Sequence, residues 1–210
     1  MKGLHVVVTG GAGALGAAVV AELGGRGATC HVPRIEDGVD LTDEDKVVAW
    51  YGGLPPIWAS IHLAGGFAAA ALAETSLAAF RAQLDQNLVT CFLCCREAAR
   101  ALRRGGGGRI VNVAARPAVQ PSAGLVAYAT AKAAVAALTG HLAAELTADR
   151  ILVNAVLPSI MDTPANRRAM PKADPAAWPK TEEVARTIAF LASPENALTS
   201  GALVPVYGRA

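Results

Sequence analysis

Residues 5–16 read His-Val-Val-Val-Thr-Gly-Gly-Ala-Gly-Ala-Leu-Gly, and this stretch decides the fold. A short apolar run, His5 to Thr9, ends in the turn Gly10-Gly11-Ala12-Gly13. The chain from there to about Arg26 is rich in Ala and Leu at helical spacing. Strand, glycine-rich turn and helix in that order let backbone N–H groups at a helix N-terminus approach a pyrophosphate. A glycine motif alone is a weak signal. Its place after the first strand of an alternating chain is what the mechanism requires.

Working outward, a second strand is expected at Ala28–Val32, stopped by Pro33. Thr42 to Tyr51 reads as a short helix with Thr42 as its N-cap. Ile57–Leu63 is a buried strand running into Ala64-Gly65-Gly66, and Leu77–Arg104 one long amphipathic helix closed by Gly105–Gly108. Arg109–Val113, Ile151–Leu157 and Leu203–Val206 read as strands, Val126–Thr147 and Glu182–Ala192 as helices. The alternation predicts an α/β fold: one Rossmann-type domain over residues 1–210, with a doubly wound, mainly parallel sheet. Parallel neighbours need a crossover of about a dozen residues, yet six residues separate Val32 from Val39. The usual third strand is therefore expected to be missing or vestigial.

Composition narrows the function classes. Hydrophobic residues at 53% against 17% charged argue for a well-covered interior rather than disorder. The net charge of +2 is scattered along the chain, which gives nucleic-acid binding no support. Cys91, Cys94 and Cys95 fall at i, i+3, i+4 on one helical face and read, with Cys30, as small apolar core or interface residues. No further ligands stand at metal-binding spacing, so no metal is expected. Lys2 leads straight into a strand, and Gly52-Gly53, Pro55-Pro56 and Gly65-Gly66 break up the uncharged run at 52–73. No signal peptide or membrane span is expected, and the cytoplasm is the default compartment.

The chemistry centres on Tyr128 and Lys132, which are at i, i+4 on a predicted helix and so project from one face. A phenol with an ordinary pKa near 10 exchanges protons poorly at neutral pH, and a nearby ammonium lowers that value. Lys132 can also hydrogen-bond a cofactor ribose.

These residues carry a resemblance across nearly the whole chain. Thr9-Gly10-Gly11-Ala12-Gly13-Ala14-Leu15-Gly16 resembles the nucleotide turn of short-chain dehydrogenases/reductases, with Ala14 where the middle glycine is usual. Ala64-Gly65-Gly66 resembles the turn after that family's fourth strand. Asn87 matches its helix asparagine, and Tyr128-Ala129-Thr130-Ala131-Lys132 its Tyr-x-x-x-Lys pair. Asn154 to Pro158, then Ser159, Ile160 and Thr163, resembles the nicotinamide-side loop, with Ser159 in place of a glycine. The resemblance implies an NAD(P)-dependent oxidoreductase in which Tyr128 donates the proton, Lys132 activates it and Asn87 orients a water or backbone link.

One family residue is absent. A serine that bonds the substrate oxygen belongs thirteen residues before the tyrosine, where this chain has Ala115. Losing such a donor costs roughly 10²–10³ in rate. Either Ser122, Thr130 or Ser159 replaces it, or the acceptor is an electron-poor, quinonoid ring that builds no localised alkoxide. The second option is similar to the dihydropteridine reductase branch, which also carries alanine there. That branch resembles this chain in the segment Asp162–Trp178, and it implies Ala115, Phe67, Asn166, Met170 and Trp178 on the substrate side. A generic carbonyl or alcohol dehydrogenase is one rival. A non-catalytic NAD(P)H-binding sensor or scaffold is the other.

For the cofactor, an acid at the end of the second strand favours NAD. Arg34 stands there instead and suits the 2′-phosphate of NADP, although Glu36 and Asp37 lie close by. Asp40-Leu41 resembles the segment beside the adenine. The resemblance further implies a homodimer, or a homotetramer built from it, through the helices at 77–104 and 126–147, acting on a small-molecule substrate.

Overall fold

The apolar runs of the sequence become neighbours in one sheet. In the computed structural model, which describes residues 1–209, the strands are β1 (His5–Thr9), β2 (Thr29–His31), β3 (Ala59–His62), β4 (Gly108–Val113), β5 (Ile151–Pro158) and β6 (Leu203–Val206). They lie in the order β2-β1-β3-β4-β5-β6, every pair parallel. The chain runs outward from β1 to β2, returns to β3 and continues the other way to β6. That reversal leaves a crevice at the carboxyl ends of β1 and β3, where Thr9 pairs with His62.

Between β2 and the next helix there is only a 3₁₀ turn at Ile35–Asp37, so β2 ends the sheet and the usual third strand is missing. The short Val32–Val39 connection leaves no room for it.

Alternation along the strands supplies both faces. Val6 and Val8 of β1 join Ile61, Val111 and Val156 against α1 (Ala14–Gly25) and α7 (Thr181–Ala192). Val7 points the other way, with Ile110, Val153 and Ala155, onto α2 (Glu44–Gly52), α4 (Thr90–Arg104) and α5 (Val126–Glu145).

Three local expectations need correction. The N-cap of α2 is Asp43, whose carboxylate accepts the Lys46 N–H; Thr42 instead donates its N–H and hydroxyl to Asp40. The helix at 77–104 is not uniform: α3 (Leu77–Leu84) passes through a π-turn at Asp85–Val89 into α4. The added residue disturbs the backbone ladder, and the Thr90 hydroxyl donates to the Gln86 carbonyl within it. Finally, α5 stops at Glu145 and yields to a 3₁₀ turn at Thr147–Asp149. The substrate-side segment folds as α6 (Pro164–Ala169), capped by the Thr163 hydroxyl. Among the described residues no helix is long and apolar enough to cross a membrane.

Candidate active site

The glycine turn is shaped by close approach. Gly10 has φ +67°, and a Cβ there would lie 2.8 Å from the Ala64 N atom. A Cβ on Gly16 would run into the Gly10 carbonyl, so only glycine lets the first turn of α1 rest on the loop. Gly13 precedes helix α1 as its N-cap, with no side-chain cap and no acidic residue in the first turn. Its leading N–H groups, at Ala14, Leu15 and Gly16, are left for an anion. This cradle fits the pyrophosphate of a dinucleotide. Leu15 is buried under the turn, and Gly11 packs against Val32, while Ala12 is exposed.

A cleft of about 330 Å³ opens from this turn along the strand ends. Tyr128, Lys132 and Asn87 all line it, together with Gly10, Gly65 and Gly66. Lys132 is buried, and its Nζ donates to the Val113 carbonyl at 2.8 Å. Burial lowers its pKa to about 8. Burial also pushes the Tyr128 phenol up to about 12. The expectation that Lys132 draws the phenol toward neutrality is not met here. Its Nζ is 6.0 Å from the Tyr128 ring centre and bonded to Val113, so desolvation dominates. The phenol is consequently neutral near pH 7, the form that a proton donor needs.

Asn87 sits inside the π-turn, and its Nδ2 donates to the carbonyls of Gly66 and Gln83 at 2.9 and 3.0 Å. That fixes the amide and leaves Oδ1 buried without a partner among the described residues. A Cβ on Gly65 would stand 2.5 Å from this oxygen and 3.5 Å from Lys132 Nζ, so both polar atoms reach the same space. An orphaned buried acceptor beside a buried ammonium calls for a water or a ligand group.

The remaining residues divide by position. Ala115, Phe67, Pro158, Ser159, Thr163 and Asn166 line the cleft. Phe67 is two-thirds exposed, and its ring meets Tyr128 edge-on with centres 5.0 Å apart. Leu63 and Met161 also line the cleft, although neither stands out in the sequence; hydrophobic residues beside a motif carry no mark of their own. Ile160 faces solvent, and Met170 is half-buried just after α6 and lines no part of this cleft. Trp178 is buried against a separate cleft with Asp162, Arg167 and Lys180. Ala64 packs on Gly10, and its N–H is bonded to the Thr9 hydroxyl.

Arg34 is exposed at the turn after β2 and forms no ion pair with a described residue. Glu36 and Asp37 are exposed beside it. The Asp40 carboxylate is held below its ordinary pKa by the Thr42 N–H and hydroxyl, and Leu41 packs on the core.

None of Ser122, Thr130 and Ser159 takes the place of the missing serine. Ala115 is buried at the end of β4, in the wall of the cleft. Ser122 and Thr130 are exposed and do not line it. The Ser159 hydroxyl donates to the Tyr207 carbonyl at 2.7 Å, so its proton is committed elsewhere.

With this geometry in place, likeness to known proteins is informative. The family model described as enoyl-(acyl carrier protein) reductase matches residues 1–208. A cis-4-hydroxycyclohexanecarboxylate dehydrogenase from Sinomonas cyclohexanicum is 34% identical, over 96% of this chain and 94% of that protein. The fold is shared with a short-chain type dehydrogenase/reductase from Mycobacterium ulcerans, at 23% identity and a TM-score of 0.92, over 100% of this chain and 90% of the other. A Beutenbergia cavernae structure described as an NAD(P)-dependent gluconate 5-dehydrogenase, with NADP at low occupancy, is 26% identical with a TM-score of 0.90. It covers 99% of this chain and 96% of its own.

Proposed function

The chain belongs to the short-chain dehydrogenase/reductase family, and on that premise we propose that it passes a hydride from NADPH or NADH to an electron-poor ring of the quinonoid dihydropterin type. The nicotinamide supplies the hydride, and this protein supplies binding, orientation and the proton. The first turn of α1 receives the pyrophosphate, Arg34 pairs with a 2′-phosphate, and Lys132 holds the ribose beside the buried oxygen of Asn87. Tyr128 donates its phenolic proton to the acceptor, which ends reduced by one hydride and one proton. Phe67 offers an exposed ring face at the mouth of the cleft to a flat substrate.

The observation that carries this reading is Ala115, with Ser122 and Thr130 outside the cleft and the Ser159 proton bonded to the Tyr207 carbonyl. A quinonoid ring spreads the incoming charge and has no need of that donor. A second reading, reduction of an ordinary cyclic ketone or oxidation of the alcohol, draws support from the name of the Sinomonas relative. Assay of NADPH oxidation with quinonoid dihydropterin and with cyclohexanone separates the two.

Assembly follows the same reasoning. Phe92 on α4 and Val126 at the start of α5 remain exposed, which supports a homodimer paired through these helices.

A further inference from the structure

Beneath the cleft, four side chains from three elements bring their donor atoms together. Cys91 and Cys95 come from α4, His62 from β3 and Asn112 from β4. All four are buried. The sulfurs are 4.0 Å apart, and His62 Nδ1 is 3.3 Å from Cys95 Sγ. Asn112 Oδ1 lies 2.8 Å from His62 Nδ1, 3.3 Å from Cys95 Sγ and 3.4 Å from Cys91 Sγ. The imidazole and thiol donor atoms all fall within 4.8 Å of one another. The sequence expectation of no metal rested on three cysteines without a further ligand, and the fold supplies one from β3.

We propose that His62, Cys91, Cys95 and Asn112 form a structural site for one tetrahedral divalent cation of the zinc type. Around Zn²⁺, bonds of about 2.3 Å to sulfur and about 2.0–2.1 Å to nitrogen or oxygen place neighbouring donors about 3.3–3.8 Å apart. Five of the six separations in this cluster lie within about half an ångström of those values, and the imidazole to Cys91 Sγ separation is at most 4.8 Å, so side-chain shifts complete the tetrahedron.

The surroundings favour the same reading. Asn112 Nδ2 donates to the Thr139 hydroxyl at 3.0 Å, which donates onward to the Val135 carbonyl at 2.8 Å. That chain fixes the amide with Oδ1 facing the cluster. On the far side of the imidazole, His62 Nε2 is 2.9 Å from Ser60 Oγ, itself 2.9 Å from the Tyr51 hydroxyl. A ligating histidine whose other ring nitrogen donates to an ordered acceptor is the usual outer-shell support of a metal site. Without a cation, an imidazole N–H and two thiols converge on one amide oxygen, with only the weak sulfur-to-sulfur and sulfur-to-imidazole contacts as alternatives.

Proton and charge balance also work. Binding M²⁺ displaces the two thiol protons to solvent, and the imidazole proton moves from Nδ1 to Nε2, where Ser60 accepts it. Two thiolates and a dication sum to zero, which suits a dry interior better than an unpaired charge. Because the site is closed, the cation enters as the chain folds. Once in place it pins α4 to β3 and β4, one helical turn below Asn87.

The test uses the untagged full-length chain, purified from cells grown with zinc and, separately, with cobalt. About one zinc per chain by mass spectrometry is expected, with thiolate-to-cobalt absorption in the cobalt-grown protein. Both signals should disappear in Cys91→Ser and Cys95→Ser and persist in Cys94→Ser, which changes a neighbouring buried thiol outside the donor set. Should the serine variants fail to fold, X-ray absorption on the zinc-grown wild type decides instead, with two sulfur and two lighter ligands expected. Fewer than about one zinc per ten chains, metal content untouched in both serine variants, or an absorption spectrum without sulfur ligands would overturn the proposal.

Discussion

Lys132 Nζ donates to the Val113 carbonyl at 2.8 Å, tying α5 to the carboxyl end of β4 inside the cleft. The bond positions the ammonium but does not offset its burial, which lowers the pKa to about 8. The unfolded chain keeps this proton to about pH 10.4. Between those values the unfolded state binds more protons, so this group makes stability rise with pH across that window. Below about pH 8 it is a steady penalty on the order of 3 kcal/mol. Lys132→Met is therefore expected to melt above wild type at pH 7, by a margin that shrinks toward pH 10. A margin independent of pH would rule out burial of the charge as its cause.

In the proposed reaction Tyr128 donates the proton, and Tyr128→Phe keeps the ring that packs against Phe67. The turnover number should fall by about 10²–10⁴, while NADPH affinity, read from nucleotide fluorescence, stays within about twofold. Turnover close to wild type with every acceptor would remove Tyr128 from the chemistry. Tight nucleotide binding without turnover in either protein would instead favour a sensor.

Arg34 makes no ion pair with a described residue and stands where the ribose edge of the nucleotide is expected. Arg34→Glu should lower the ratio of kcat/KM for NADPH over NADH by at least about tenfold, since a carboxylate suits the free 2′-hydroxyl and repels a phosphate. An unchanged ratio would place the 2′ group elsewhere.

Much of this was legible in the sequence because periodicity and punctuation report local structure. The alternation of strand and helix, the Gly10–Gly16 turn and the spacing of Tyr128 and Lys132 gave the sheet, the anion cradle and the shared helix face. The six residues after Val32 forecast the missing strand by a simple reach argument. Other features depended on contacts between distant segments. The π-turn around Asn87 has no compositional mark, and Asp43 and Thr42 are both acceptable caps on paper. His62 joins Cys91 and Cys95 only when β3 lies beneath α4. Lys132 turns toward Val113, and phenol burial outweighs the ammonium, which spacing alone cannot weigh. Trp178 belongs to the same sequence segment as Asn166, yet α6 carries the two into different clefts.

We propose that a cleft with Ala115 in its wall reduces a charge-delocalising ring rather than an ordinary carbonyl. The most direct measurement is kcat/KM for quinonoid dihydropterin and for cyclohexanone, in wild type and in Ala115→Ser. Efficient dihydropterin reduction is expected from both proteins, with cyclohexanone turned over poorly by wild type and about 10²–10³ faster once the serine hydroxyl is restored. Brisk reduction of cyclohexanone by wild type, with no activity toward the dihydropterin, would contradict it.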